Sequence, residues 1–238
     1  MSAAQYEVRG AVAIVTMNHP PVNGFSFSLR SEVLAAMKRA EADPAIKAVI
    51  FTGTGKAFSG GADIAEFAAG KAFDEPSLIN VNHYIEMSDK PAIAAINGVA
   101  LGGGCEFALG CHYRIGIPGV QIGLPEVALG ILPGAGGTQR MPRVIGAQHA
   151  LDMIVSGKPM KSEQIAKLGF FDRFVEGNLI DEAVKFAEEI IAAGAKTPRV
   201  RDREVPAVSI PGGADAFFSA AREKIAGESV NYPAPLKC

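Results

Sequence analysis

Short runs of bulky apolar residues alternate along this chain with stretches whose apolar residues recur every three or four positions. VAIVTMN (12–18), KAVIFTGTG (47–55), PAIAAIN (91–97) and YRIGI (113–117) predict buried strands. SLRSEVLAAMKRAEAD (28–43) predicts a helix with Leu29, Val33, Leu34 and Met37 on one face, and PSLINVNHYIEMSDK (76–90) is compatible with a second. GGTQRMPRVIG and AQHALDMIVSG predict two short helices divided near Gly146, SEQIAKLGF (162–170) opens with a Ser/Gln capping pattern, and DEAVKFAEEIIAAG (181–194) is amphipathic. Repeated strand–helix units point to an α/β fold with helices outside the sheets.

The pattern changes after about Gly194. AKTPRVRDREVPAVSIPGG carries three prolines and a block of charge and reads as a linker, followed by a short helix candidate, ADAFFSAAREKIA (214–226). The expected organisation is a body over residues 1–195, then a linker and short helix over 196–238. The last stretch, ESVNYPAPLKC, reads as cut short, and LKC is not the peroxisomal SKL address.

One apolar stretch, residues 91–111, is long enough to span a bilayer, with Asn97 and Glu106 as its strongly polar members. Five glycines interrupt it and no basic flank follows, so a buried strand, a glycine turn and a buried helix fit better. The first residues lack the basic and apolar regions of a signal peptide. A chain that is 48% apolar and 20% charged can bury a substantial core. A net charge of −2, 7% aromatic residues and no Trp argue against nucleic acid as a partner. Three cysteines (Cys105, Cys111 and Cys238) without a CxxC pair predict reduced thiols in a cytoplasmic protein.

Most catalytic motifs fail on inspection. TGTGKAF lacks the first glycine of a P-loop and has Ala57 where Ser or Thr is needed. GGGCEF puts Phe107 at the third glycine of a dinucleotide fingerprint. There is no HExxH, the four histidines (His19, His83, His112, His149) are isolated, and no G-x-S-x-G elbow occurs, so neither a metal site nor a covalent nucleophile is expected. What remains is two glutamates in apolar, glycine-rich settings, Glu106 in GVALGGGCEFALGC and Glu126 in QIGLPEVALGILPGAGG, 20 positions apart. By residue type alone each is as readily a helix first-turn or capping carboxylate as a catalytic group. A strand such as YRIGI, returning beside the first helix, would bring them together.

The glycines tilt that balance. A glycine run before a helix leaves N–H groups facing whatever occupies the turn, and a second such turn, FSGGADI (58–64), could add another donor. Two N–H donors on a carbonyl oxygen, with two carboxylates near the adjacent carbons, suit enolate chemistry next to a thioester. Burial would raise a carboxyl pKa toward neutrality, as such proton exchange requires.

The segments KAFSGGADI, IAAINGVALGGGCEFALGCHY and GLPEVALGILPGAGGTQR, in this order and spacing, closely resemble the crotonase, or enoyl-CoA hydratase/isomerase, family over about residues 5–195. The resemblance implies the crotonase-like fold, a spiral of ββα units with roughly perpendicular sheets and outer helices. It implies a lyase of fatty-acid β-oxidation that adds water syn across the C2=C3 bond of trans-2-enoyl-CoA. Matched residue by residue, Ala62 and Gly103 stand at the oxyanion-hole donors, and Glu106 and Glu126 at the catalytic glutamates. Asp63 and Ile64 stand beside coenzyme A, with Lys56 and Phe58 lining its approach. Coenzyme A is then part of the substrate, and no further cofactor or metal is expected. Isomerisation of 3-enoyl-CoA is an alternative or joint activity, and a non-catalytic acyl-CoA-binding homologue another. Stand-alone hydratases usually continue into C-terminal helices that build a homotrimer, a pattern from which this tail departs. It resembles instead the hydratase part of a multifunctional enzyme, joined to a hydroxyacyl-CoA dehydrogenase domain.

Overall fold

Successive strand pairs divide between two sheets, which places the ends of three short strands side by side. The computed structural model describes residues 2–194, 196–206, 212–228 and 233–238. β1 (Ala4–Arg9) and β2 (Val12–Met17) form an antiparallel pair, and β3 (Ala48–Gly53), β5 (Ala92–Ile96), β7 (Tyr113–Gly116) and β10 (Arg173–Phe174) continue the larger sheet in parallel. The strand that follows each of β3, β5 and β7 enters a smaller sheet: β4 (Ala57–Ser59), β6 (Val99–Leu101) and β8 (Gln121–Gly123) run parallel, and β9 (Met160–Lys161) closes it antiparallel. This alternation is the spiral expected of ββα units.

Helices α1 (Phe27–Ala42), α2 (Ile64–Ala68), α3 (Leu78–Glu86), α4 (Gly103–Gly110), α5 (Gly137–Ile145), α6 (Ala147–Ser156), α7 (Ser162–Ala166) and α8 (Leu179–Ala192) follow or flank the strands. α1 starts where the Ser26 hydroxyl accepts the Leu29 N–H at 3.3 Å. α8 starts two residues before the stretch read from sequence, because the Asn178 side-chain carbonyl accepts from Ile180 N and Asp181 N. At α7 the cap is Lys161 rather than Ser162, its N–H bound by Gln164 Oε1 at 3.3 Å.

Strand residues alternate between two apolar layers, as period-2 geometry requires. Ala48, Ile50, Ile93, Ala95 and Ile115 pack outward against Leu179, Ala183, Ala187 and Ile190 of α8. Val49, Phe51, Ala92 and Ala94 face the other way, into the main core with Phe25, Phe58 and Phe107. Phe107 anchors α4 there, its ring 4.9 Å from Phe25 and 5.2 Å from Phe51. His112 is buried between the Ala92 N–H and the Glu86 carbonyl, and burial pushes its pKa down to about 4.

The stretch read as linker is docked where it is described. Val200 is buried, the turn Val200–Asp202 packs against α5, and the Arg201 N–H donates to Glu86 Oε1 at 3.1 Å. Beyond it lie α9 (Gly213–Glu228) and α10 (Ala234–Lys237), the latter against α6. Residues 207–211 of the expected linker lie outside the described residues. Residues 91–111, tested above as a membrane span, form β5, β6 and α4, and no helix among the described residues is long and apolar enough to cross a membrane. Cys105 and Cys111 are buried, Cys238 is exposed, and all three are free thiols.

Candidate active site

β4, β6 and β8 are parallel neighbours, and the chain leaves the end of each in a turn that carries one part of a common site. After β4 come Gly60, Gly61 and Ala62; after β6 come Gly102, Gly103 and α4 with Glu106; after β8 comes Glu126, opening a single turn Glu126–Leu129. The two glutamates meet because Leu101 pairs with Gly123 in adjacent strands. The expectation that YRIGI would bring them together fails, since that strand, β7, pairs with β5 in the larger sheet. The strand that positions Glu126 is the three-residue β8, too short to show a period.

The turn before α4 depends on glycine. Gly102 has φ +51° and ψ −126°, a conformation side-chain-bearing residues rarely adopt, and its N–H is held by Gly123 O at 2.9 Å. A Cβ on Gly103 would lie 3.3 Å from Ala62 N and 2.7 Å from Leu78 Cδ2, so the backbones of the two turns touch. Neither Ala62 N–H nor Gly103 N–H donates a backbone hydrogen bond among the described residues. Gly103 also opens α4, where the helix dipole favours negative charge.

The glutamates occupy different electrostatic settings. Glu106 is 3% exposed, and its Oε1 accepts the N–H groups of Ala135 at 2.7 Å and Gly137 at 2.8 Å. Burial raises its pKa, opposed by those two N–H groups and by the Arg140 charge. Glu126 is 8% exposed, and neither of its buried carboxyl oxygens has a hydrogen-bond partner among the described residues. Burial first, and the neighbouring Glu106 second, push its pKa up to about 8. The proton of the pair therefore belongs on Glu126 and the charge on Glu106.

This asymmetry has a measurable cost. Glu126 is protonated in both folded and unfolded chains below its ordinary value of 4.5, and between there and about 8 the unfolded chain ionises while the folded one does not. Stability falls with pH across that window. Glu126→Gln should gain melting temperature over the parent chain as pH rises through it, with no further gain above; an equal gain at all pH values would show that Glu126 titrates normally.

Both carboxyl groups open onto a cavity of about 540 Å³ with Gly61, Ala62, Gly102 and Gly103 in its wall, and with Phe67, Phe73, Leu78, Leu129 and Leu132 making it largely apolar. Of the residues expected beside coenzyme A, Ile64 lines this cavity and is 72% exposed, while Asp63 caps α2 by accepting Glu66 N–H at 3.0 Å. Lys56 is exposed on the turn between β3 and β4 and does not line the cavity. Phe58 does not line it either: β4 turns its side chain into the core, 6.1 Å from the Phe107 ring. Ala135 and Gly137, the donors to Glu106, escaped the sequence reading, which took PGAGG only as apolar surroundings. Among the described residues no group of three His, Cys, Asp or Glu could hold a metal ion.

Comparison with known proteins agrees with this architecture. The family model described as enoyl-CoA hydratase/isomerase matches residues 7–220. A peroxisomal bifunctional enzyme of Danio rerio is 42% identical over 99% of this chain and 32% of its own length. A probable enoyl-CoA hydratase of Bacillus subtilis is 39% identical over 79% of this chain and 78% of its own. The crystal structure of enoyl-CoA hydratase from Bacillus anthracis superposes with a TM-score of 0.74 at 32% identity, covering 80% of this chain and 77% of that one. The chain spans about a third of the length of the bifunctional relatives it matches. It belongs to the enoyl-CoA hydratase/isomerase, or crotonase, family.

Proposed function

We propose that this chain hydrates trans-2-enoyl-CoA thioesters, with Glu106 and Glu126 as the reacting carboxyls and the N–H groups of Ala62 and Gly103 as the oxyanion hole. The observation that carries the reading is the unequal setting of the two glutamates beside two adjacent N–H groups that donate no backbone hydrogen bond among the described residues. Ionised Glu106 takes a proton from water as the water oxygen bonds to C3. The C2=C3 electrons shift toward the thioester carbonyl, whose oxygen gathers charge against the two N–H groups. Glu126 gives its proton to C2 on the same face, and the carbonyl re-forms. The product gains one water, and exchange with solvent takes the proton from Glu106 and returns one to Glu126. General acid–base assistance of this kind contributes roughly 10²–10⁴-fold, and each oxyanion donor about 3 kcal/mol. The chemistry uses side chains and backbone only, with coenzyme A as part of the substrate.

The carboxyl of Glu126 beside the oxyanion donors also supports a second reading, isomerisation of 3-enoyl-CoA, in which its ionised form takes a proton from C2 to give the enolate and returns it to C4. The length of the bifunctional relatives supports a further part of the proposal, covalent linkage to a hydroxyacyl-CoA dehydrogenase domain in the whole protein. The free thiols support a reducing compartment, the cytoplasm in this reading, while the bifunctional relatives are named peroxisomal.

The test is the loss of enoyl absorbance from crotonyl-CoA as a function of pH. The rate should follow a bell, falling above about pH 8 as Glu126 loses its proton and in acid as Glu106 gains one. A rate that keeps rising well above pH 8 would reverse the assignment of acid and base.

A further inference from the structure

Beneath Glu106 lies a buried ion pair that the chemistry above does not use. Arg140 of α5 donates from Nη1 to the Ala135 carbonyl at 3.2 Å, the same residue whose N–H faces Glu106. Its Nε and Nη2 grip both oxygens of Glu86, at 3.1 and 2.6 Å. The guanidinium lies so close to the loop that a Cβ on Gly136 would be 1.9 Å from Nη1. Asn82 Nδ2 adds a second bond to the Ala135 carbonyl at 3.2 Å. Glu86 is 1% exposed and takes one more donor from outside the body, the Arg201 N–H.

We infer that Arg140 and Glu86 are a positioning pair: they fix the loop 135–137 so that its two N–H groups meet Glu106, and Arg201 couples the C-terminal segment to that loop. The inference rests on the reading of Glu106 as the group that activates water. A bidentate guanidinium–carboxylate fork fixes both distance and plane, which a single lysine ammonium does not. Buried ion pairs add little net stability compared with apolar packing, so orientation of the loop is the role the geometry favours. A loop displaced by about 1 Å would cost about 10²-fold in rate. The titratable and charged groups around Glu106 are Glu126, Cys105 and Arg140.

The test compares crotonyl-CoA hydration by the parent chain, Arg140→Lys, Glu86→Gln and the double variant, with Arg143→Lys as a neighbouring control. In both single variants kcat should fall about 10–100-fold while KM changes less than about threefold, because the thioester donors Ala62 and Gly103 lie on other turns. The acid limb of the kcat profile should move to higher pH, since Glu106 loses the N–H donors of Ala135 and Gly137 that favour its charged form. The double variant should cost no more than the worse single one. Unchanged kcat and an unchanged acid limb in folded single variants would overturn the inference. If Arg140→Lys does not fold, Glu86→Gln, which keeps shape and volume, carries the same outcomes; unfolding of both would assign the pair to stability alone. A parent chain that does not hydrate would overturn the functional reading instead. The positioning claim would then be read from the Ala135 and Gly137 amide resonances, which should titrate with Glu106 in the parent chain and cease to do so in Glu86→Gln. Identical titrations in the two would overturn it.

Discussion

Glu126→Gln should lower the rate of crotonyl-CoA hydration by about 10²–10⁴-fold, the range for removing a general acid. The amide cannot release a proton to C2, and Glu106, the other carboxyl lining the cavity, is committed to the water. Binding should survive within about threefold, since the thioester is held by the backbone N–H groups of Ala62 and Gly103 and by the apolar cavity, none of which changes. The protein should remain folded, because the substitution replaces a buried carboxyl that has no hydrogen-bond partner among the described residues by a neutral group of equal size. Stopped turnover with intact thioester affinity, measured by absorbance and by calorimetry with a non-reactive acyl-CoA, is the expected pair of results. Near-normal turnover would remove Glu126 from the mechanism.

Glu106→Gln should also lower hydration by about 10²–10⁴-fold, but it should leave a different partial activity behind. Water is no longer activated, yet Glu126 and the two N–H donors remain, so exchange of the C2 proton of a saturated acyl-CoA with deuterated solvent should persist. The amide that Glu106→Gln introduces would have to turn its oxygen toward Ala135 N and Gly137 N to keep those donors satisfied, which holds its position. Exchange followed by proton NMR separates the two glutamates. If Glu106→Gln stops exchange as completely as Glu126→Gln does, the division of labour drawn from their surroundings is wrong.

How much of this was legible in the sequence depends on the sheet concerned. The inner strands of the larger sheet are buried on both faces, so VAIV, AVIF and AIAAI are unbroken apolar runs, and α1 and α8 show their apolar face directly. The smaller sheet consists of strands of two or three residues, AFS, VAL, QIG and MK, too short for any period. These are the strands that assemble the site, so the catalytic candidates were visible as chemistry while the geometry joining them was not. Glu106 was conspicuous as a carboxylate among glycines. The bonds that hold it come from Ala135 and Gly137, 29 and 31 residues away, in a loop whose sequence shows only small and apolar residues. Phe58 was assigned by its place in a motif, whereas strand alternation decides that its ring faces the core. The charged block after Gly194 read as solvated linker, but Val200 and the Arg201 N–H tie it to α5 and Glu86, a contact composition does not reveal.

The central claim is that this pair of carboxyls adds the elements of water across C2 and C3, the oxygen to C3 and a proton to C2. Incubating the chain with crotonyl-CoA in deuterated water enriched in oxygen-18, and analysing the thioester by mass spectrometry and NMR, tests it most directly. The account predicts a 3-hydroxyacyl product with solvent oxygen on C3 and one deuterium on C2, added to the same face. Recovery of unlabelled crotonyl-CoA with no 3-hydroxyacyl product, or a product carrying deuterium without solvent oxygen, would contradict it.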